Sequence, residues 1–261
     1  MNRSAYRARV VLVSRPVVLQ TACWQVLVAC LLGAACQRTP TPASILLFDG
    51  NGTSTTDVAA VESILRNAHF SYATASSRQL GALTPAQLRT YRLLIVPGGN
   101  FEQIGTDLSP VAVANVREAV RGGLNYLGIC AGAFFAGNSP YNGLNLTSGA
   151  RFPFYAAEFQ GIRKTAVHIA IAGSPPLEQY WEDGPQLTGW GDIVAQYSDG
   201  TPAVAQGKFG NGGVMLVGTH PEAPDGWRRG LHFGTSSGTA ARAYAATLIT
   251  AALGATPLQH Y

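Results

Sequence analysis

Gly128-Ile129-Cys130-Ala131-Gly132 is the stretch from which the rest of this 261-residue chain is best read. An apolar run, 124–129, leads into it and reads as a buried strand. Residues 131–136 follow at once and open a helix. A chain that passes from strand to helix through one residue bends so sharply that this residue takes a strained backbone conformation. Side chains two positions before and after would collide with it, and glycine stands at both. G-x-C-x-G is thus the cysteine counterpart of the nucleophile elbow. The helix turns its N-terminus toward the sulfur, where free N–H groups favour thiolate over thiol. Most free cysteines are buried and structural; the paired glycines in a strand-to-helix setting argue against that reading here.

Outward from the elbow, strands and helices alternate. Residues 44–48 read as a first buried strand. Residues 57–68 read as a helix, with Val58, Val61, Ile64 and Leu65 at helical spacing. A second strand falls at 70–75 and a third at 92–96, running into Pro97-Gly98-Gly99. A helix at 111–120 closes on Gly122-Gly123. This order predicts an α/β fold, a mostly parallel sheet flanked by helices. The second half is richer in β signals: 165–171, 192–197, 202–208 and 213–217 read as strands, and Asp199-Gly200 and Gly210-Asn211-Gly212 mark turns. Residues 236–253 form an Ala-rich helix. No repeat and no internal boundary is visible. The expected organisation is a leader over 1–36, a linker over 37–42 and one domain over 43–256.

A nucleophilic cysteine needs a base. His260 lies beside the terminus and reads as solvated. His69 ends a helix, where an imidazolium suits the dipole. His168 falls in a β run and reads as packed. His232 sits in a Gly-rich loop and stays open. His220 is the best placed: it leaves the strand 213–217 through Gly218-Thr219, and a buried strand that ends at the elbow's sheet edge delivers it to the site. Glu222, two residues on, is in reach to accept the second ring N–H, which fixes the tautomer and stabilises the imidazolium. An ordinary surface turn is the alternative. Gly98 and Gly99 let backbone N–H groups approach a substrate, and with the Ala131 N–H they make the expected oxyanion site; taken alone, P-G-G is a turn signal. Residues 180–185 read as a loop that edges the pocket or packs on the surface. Tyr197 faces either the cleft or the core.

Composition sets bounds. With 47% hydrophobic and 12% charged residues, 30 Gly and 15 Pro, the chain suits a loop-rich enzyme scaffold, not a disordered chain or a coiled coil. The net charge of +4 misleads. Arg3, Arg7, Arg9 and Arg15 supply four of the 18 basic residues and no acid precedes Asp49, so beyond residue 36 the balance is 14 (18 − 4) against 14. A neutral domain gives no electrostatic case for nucleic acid. The basic start, the uncharged 16–36 and the small residues Gly33-Ala34-Ala35 read as an export signal. Leu27-Val28-Ala29-Cys30 and Gly33-Ala34-Ala35-Cys36 both resemble the lipobox of bacterial lipoproteins. The Thr39-Pro40-Thr41-Pro42 tether favours Cys36, while the first triplet fits the consensus better and keeps Cys30 open. Simple cleavage and an uncleaved anchor also stay open, the anchor weakened by Gln20, Thr21 and Gln25. The expected location is the periplasm or cell envelope, with a lipid anchor as the membrane contact. Three of the four cysteines lie in the leader, so Cys130 has no internal disulfide partner. No metal-ligand spacing and no phosphate loop is visible, so no metal and no cofactor is expected. Oligomeric state leaves no mark in the sequence.

Taken together, Pro97-Gly98-Gly99, the run from Gly122-Gly123 through Cys130 to Ala133, and Gly218-Thr219-His220-Pro221-Glu222 resemble the class I glutamine amidotransferase-like superfamily. Over about residues 43–253 the chain is more similar still to the domain at the N-terminus of eukaryotic biotin–protein ligases, which also occurs alone in bacteria. The resemblance implies a flavodoxin-like sheet and a Cys130–His220–Glu222 triad. It does not imply glutamine as substrate, because Phe134 stands where glutamine amidotransferases usually carry Gln. Biotin ligation needs a separate domain, for which these residues leave no room. The expected function is hydrolysis or transfer at the C–N bond of a small-molecule or peptide amide. A non-catalytic ligand-binding or scaffold module on the same fold is the alternative, and redox sensing at Cys130 a third reading.

Overall fold

Ile45 and Leu47 pack on one face of the sheet and Leu46 and Phe48 on the other, because successive side chains of a strand point to opposite faces. A strand buried on both sides calls for helices on both faces, as in parallel sheets. The computed structural model describes residues 43–155, 159–235 and 237–261. The expected leader, the linker, Cys30 and Cys36 lie outside the described residues.

In chain order the elements are β1 (Ile45–Phe48), α1 (Thr55–Asn67), β2 (Tyr72–Ala75), α2 (Ser77–Ala82), α3 (Pro85–Leu88), β3 (Leu93–Val96), α4 (Phe101–Asp107), α5 (Pro110–Arg121), β4 (Asn125–Ile129) and α6 (Ala131–Ala136). There follow β5 (Lys164–Ile171), β6 (Leu177–Glu182), β7 (Asp192–Tyr197), β8 (Pro202–Phe209), β9 (Gly212–Val217), a 3₁₀ turn (Asp225–Arg228) and α7 (Thr239–Gly254). The strands make one sheet in the order β2-β1-β3-β4-β9-β8-β7-β5-β6. From β2 to β9 neighbours run parallel; from β9 to β6 they run antiparallel. This is the expected α/β, flavodoxin-like sheet with a β-rich second half. The sequence reading lacked α2, α3, α4 and β6. Its loop over 180–185 begins inside β6, which pairs with β5 from Lys164↔Glu182 to Ile169↔Leu177.

Val61 and Leu65 of α1 pack with Leu248 and Ile249 of α7 on one face; Val113 and Val116 of α5 pack with Phe135 of α6 on the other. Burying each such side chain contributes about 1.5–3 kcal/mol. Among the described residues no helix is long and apolar enough to cross a membrane.

Register brings the loops of interest to one edge. Val96 of β3 lies beside Gly128 of β4, and Ile129 of β4 beside Val217 of β9. Three parallel strands therefore stop in line. Pro97-Gly98-Gly99, Cys130 and Gly218-Thr219-His220 leave from their C-terminal ends, where ligands of open α/β sheets bind.

Candidate functional site

Cys130 has φ 49° and ψ −105°, a conformation that side chains rarely adopt. Its neighbours hold it there. Its N–H donates to the Val217 carbonyl at 2.8 Å, and the Tyr126 hydroxyl donates to the Gly132 carbonyl at 2.7 Å. The glycines are required, for a reason other than the expected collision with Cys130. A Cβ on Gly128 would lie 2.5 Å from the Gly132 carbonyl oxygen, and one on Gly132 would lie 2.0 Å from that of Val96. The first would block the return of the chain, the second the packing of α6 on β3. The Cys130 S–H meets the Glu182 carbonyl at 3.5 Å.

His220 reaches the same edge from β9. Its N–H donates to the Tyr180 carbonyl at 2.8 Å, a single bridge that ties the loop to β6. The ring is nearly buried, at 4% exposure. Nδ1 lies 3.0 Å from Glu222 Oε1 and 3.1 Å from Asp57 Oδ1. The expected Glu222 contact is present, and Asp57 is a second carboxylate on the same nitrogen that the sequence reading missed. Asp57 stands in the first turn of α1, where its N–H donates to the N-cap Ser54 Oγ at 3.3 Å. Ser54-x-x-Asp57 after a buried strand is a helix-start signature, which marks the start of α1 but not its contact with His220.

Gly98 makes room for the cluster. A Cβ there would lie 2.1 Å from Asp57 Oδ1 and 2.7 Å from His220 Cε1. The loop is pinned by the Ser54 N–H to the Gly98 carbonyl (3.0 Å) and the Asn100 N–H to the Gly52 carbonyl (2.7 Å), a pairing that leaves the Gly99 N–H out. Tyr180 and Trp227 set their rings against His220, at 5.8 and 5.9 Å between centroids. Cys130, His220, Asp57 and Gly99 line one cleft of about 580 Å³. Glu222 is buried behind the imidazole, Gly98 is buried against it, and Ala131 is buried at the start of α6.

The electrostatics follow from this packing. Burial opposes a charged imidazole, but the Cys130 sulfur, Glu222 and Asp57 around it together outweigh that and hold the His220 pKa well above the ordinary histidine value. The two carboxylates diverge. Burial would raise Asp57, yet contact with His220 brings it below the usual value; burial of Glu222 wins over the same imidazole and raises it. Asp57 is thus the more readily ionised partner. Asp57, His220 and Glu222 place three ligand-type atoms within 4.8 Å of one another, a grouping that sequence spacing did not reveal. Glu222 Oε1 shares the hydrogen bond at His220 Nδ1, and Asp57 Oδ1 meets the same nitrogen as an ion-pair contact.

The other histidines stand apart. His69, His232 and His260 are exposed. His168, expected to be packed, points off the outer face of β5 with its side chain 66% exposed, 3.7 Å from Glu178. Tyr197 belongs to the core, its hydroxyl donating to the Pro185 carbonyl at 2.9 Å. Phe134 stacks on Phe101, ring centroids 4.6 Å apart, and gives the flank of the elbow an apolar wall.

Residues 43–141 match the family model described as the N-terminal domain of biotin-protein ligase. This span runs from β1 past the elbow and stops before His220 and Glu222. No curated protein matches the chain. Among solved structures, a glutamine amidotransferase shares 19% identity over 69% of this chain and 90% of its own, with a TM-score of 0.54. The exo-beta-1,4-mannosidase Op5Man5 from Opitutaceae bacterium strain TAV5 shares 15% over 80% of this chain and 36% of its own, with a TM-score of 0.53. The cytoplasmic protein STM3548 from Salmonella typhimurium shares 12% over 79% and 98%, with a TM-score of 0.51. At these identities the likeness is one of fold.

Proposed function

For a glutamine amidotransferase-like module whose residues 43–141 are of the biotin–protein ligase N-terminal type, we propose the activity of a cysteine-nucleophile amide hydrolase or transferase. The observation that carries this reading is Cys130 in a strained backbone at a strand end, in one cleft with a nearly buried His220 whose far nitrogen meets two carboxylates. The Cys130 thiolate attacks the amide carbonyl and forms the C–S bond. The oxyanion is stabilised by backbone N–H groups from the Gly98-Gly99 loop and Ala131; losing one such donor costs about 100- to 1,000-fold in rate. His220 protonates the leaving amine as the C–N bond breaks. It then takes a proton from water, which attacks the thioester; the C–S bond breaks, the acid is released, and the thiolate and the protonated His220 are restored. Asp57 and Glu222 act through His220 as positioning residues. The substrate is a small-molecule or peptide amide.

The test is alkylation of Cys130 by iodoacetamide near pH 6, followed by mass spectrometry. The expected result is alkylation faster than that of free cysteine, slowed about 100-fold in His220→Ala. A rate equal to that of a free thiol in both proteins favours the non-catalytic module. We also propose action in the cell envelope, supported by the basic, apolar and small-residue order of the leader. Palmitate incorporation lost in Cys36→Ala, or in Cys30→Ala, tests the anchor and selects the cysteine.

A further inference from the structure

The cleft holds two cations that no other side chain among the described residues pairs with. Its acids are engaged. Asp57 lies against His220, Glu182 accepts the Tyr180 hydroxyl at 2.5 Å, and Asp183 pairs with Arg163 at 3.2 Å. Lys164 and Arg229 line the same cleft, and neither the ammonium nor the guanidinium makes a hydrogen bond or ion pair with a described residue. They also flank the reacting pair. Lys164 is the first residue of β5 and sits directly across the ladder from Glu182, whose carbonyl meets the Cys130 sulfur. Directly opposite residues of an antiparallel pair have Cα atoms about 5 Å apart, so Lys164 is one ladder step from the nucleophile's contact. Arg229 follows the 3₁₀ turn, two residues after Trp227, whose ring packs on His220. One cation thus stands on the sulfur side and the other on the imidazole side.

An ammonium and a guanidinium that line the nucleophile's cleft draw an anion into it, and the guanidinium fork suits a carboxylate. We propose that Lys164 and Arg229 form a carboxylate-binding subsite, and that the substrate is an amide bearing a carboxylate near the bond that is cut. The proposal rests on Cys130 being the nucleophile. It makes Lys164 and Arg229 specificity residues.

The test pairs two alkylating agents that differ only in charge. The ratio of iodoacetate to iodoacetamide rates at Cys130 is measured in the whole chain and compared with the ratio for free cysteine. A protonated His220 also attracts iodoacetate, so the double variant Lys164→Met/Arg229→Met decides. The expected result is a ratio raised at least about tenfold over free cysteine at low salt, which falls about tenfold in the double variant and shrinks as ionic strength rises. An unchanged ratio in the double variant overturns the subsite while leaving Cys130 as nucleophile. A second measurement is independent of the sulfur. In Cys130→Ala, glutarate is expected to raise Tm more than glutaramide does, and this difference is expected to vanish when Lys164→Met and Arg229→Met are added. If Cys130 proves unreactive but the glutarate difference holds, the subsite stands and the nucleophile reading fails. If glutarate and glutaramide behave alike, the subsite is overturned.

Discussion

The parallel half of the sheet, β2-β1-β3-β4-β9, and the antiparallel half, β8-β7-β5-β6, supply different things to the cleft. Parallel strands all end at the same edge, so the parallel half delivers Gly99, Cys130 and His220 side by side from three strand ends. It holds them by close packing that leaves no room for an added Cβ, against side chains at Gly98 and against backbone at Gly128 and Gly132. The antiparallel half reaches the cleft along its outer hairpin, with Lys164 on β5 and Tyr180 and Glu182 on β6. These side chains stand on a two-stranded wall, where substitutions change lining without moving the strand ends. On the proposed reading, the reacting groups come from the parallel half, and Lys164, which would meet a substrate's periphery, comes from the other.

The largest effect expected from breaking this division is in the parallel half. Gly132→Ala sets a Cβ 2.0 Å from the Val96 carbonyl oxygen, so α6 must leave β3. A loss of about 2–3 kcal/mol is expected, read from the urea midpoint. A change under about 0.5 kcal/mol would show that the elbow yields more easily than its packing indicates.

Next comes the charge on His220. Its pKa is raised in the folded protein, so its contribution to stability is fully present below the ordinary histidine value and is lost as pH rises through the raised one. Asp57→Asn removes one of the anions that raise it. The variant is expected to lose this contribution at lower pH than the wild type, seen by comparing urea midpoints across pH 6 to 9. Coincident curves would mean that Asp57 does not act on the ring.

The smallest effect belongs to the antiparallel half. His168 is exposed on β5 and its distance to Glu178 is that of a weak surface pair. His168→Ala is expected to change stability by less than about 0.5 kcal/mol and to leave Cys130 alkylation unaltered. A slowed alkylation would tie this wall to the nucleophile and blur the division.

The same division governs what the sequence revealed. Buried parallel strands are short apolar runs, and 124–129 was read within one residue of Asn125–Ile129. The elbow was legible because sterics leave glycine little choice on either side of Cys130. Three features were not. The helices α2 and α3 span under two turns and show no apolar period; their signals were the capping boxes Ser76/Gln79 and Thr84/Gln87. Strand β6 ends just before Asp183-Gly184-Pro185, turn residues that drew the whole segment toward a loop, while its identity comes from pairing with β5. Asp57 lies far from His220 in sequence, and Lys164 far from Arg229. Only the sheet order brings each pair together, and no local pattern records that.

The central proposal is that His220, held charged in the cleft it shares with Cys130, serves that sulfur. The most direct measurement is the protonation of His220 by NMR of ¹⁵N-histidine-labelled protein, titrated in the wild type and in Cys130→Ala. The prediction is that both ring nitrogens carry protons at pH 7.5 in the wild type, and that removing the sulfur lowers the ring's pKa. A neutral His220 at pH 7.5 that titrates identically in both proteins would contradict it.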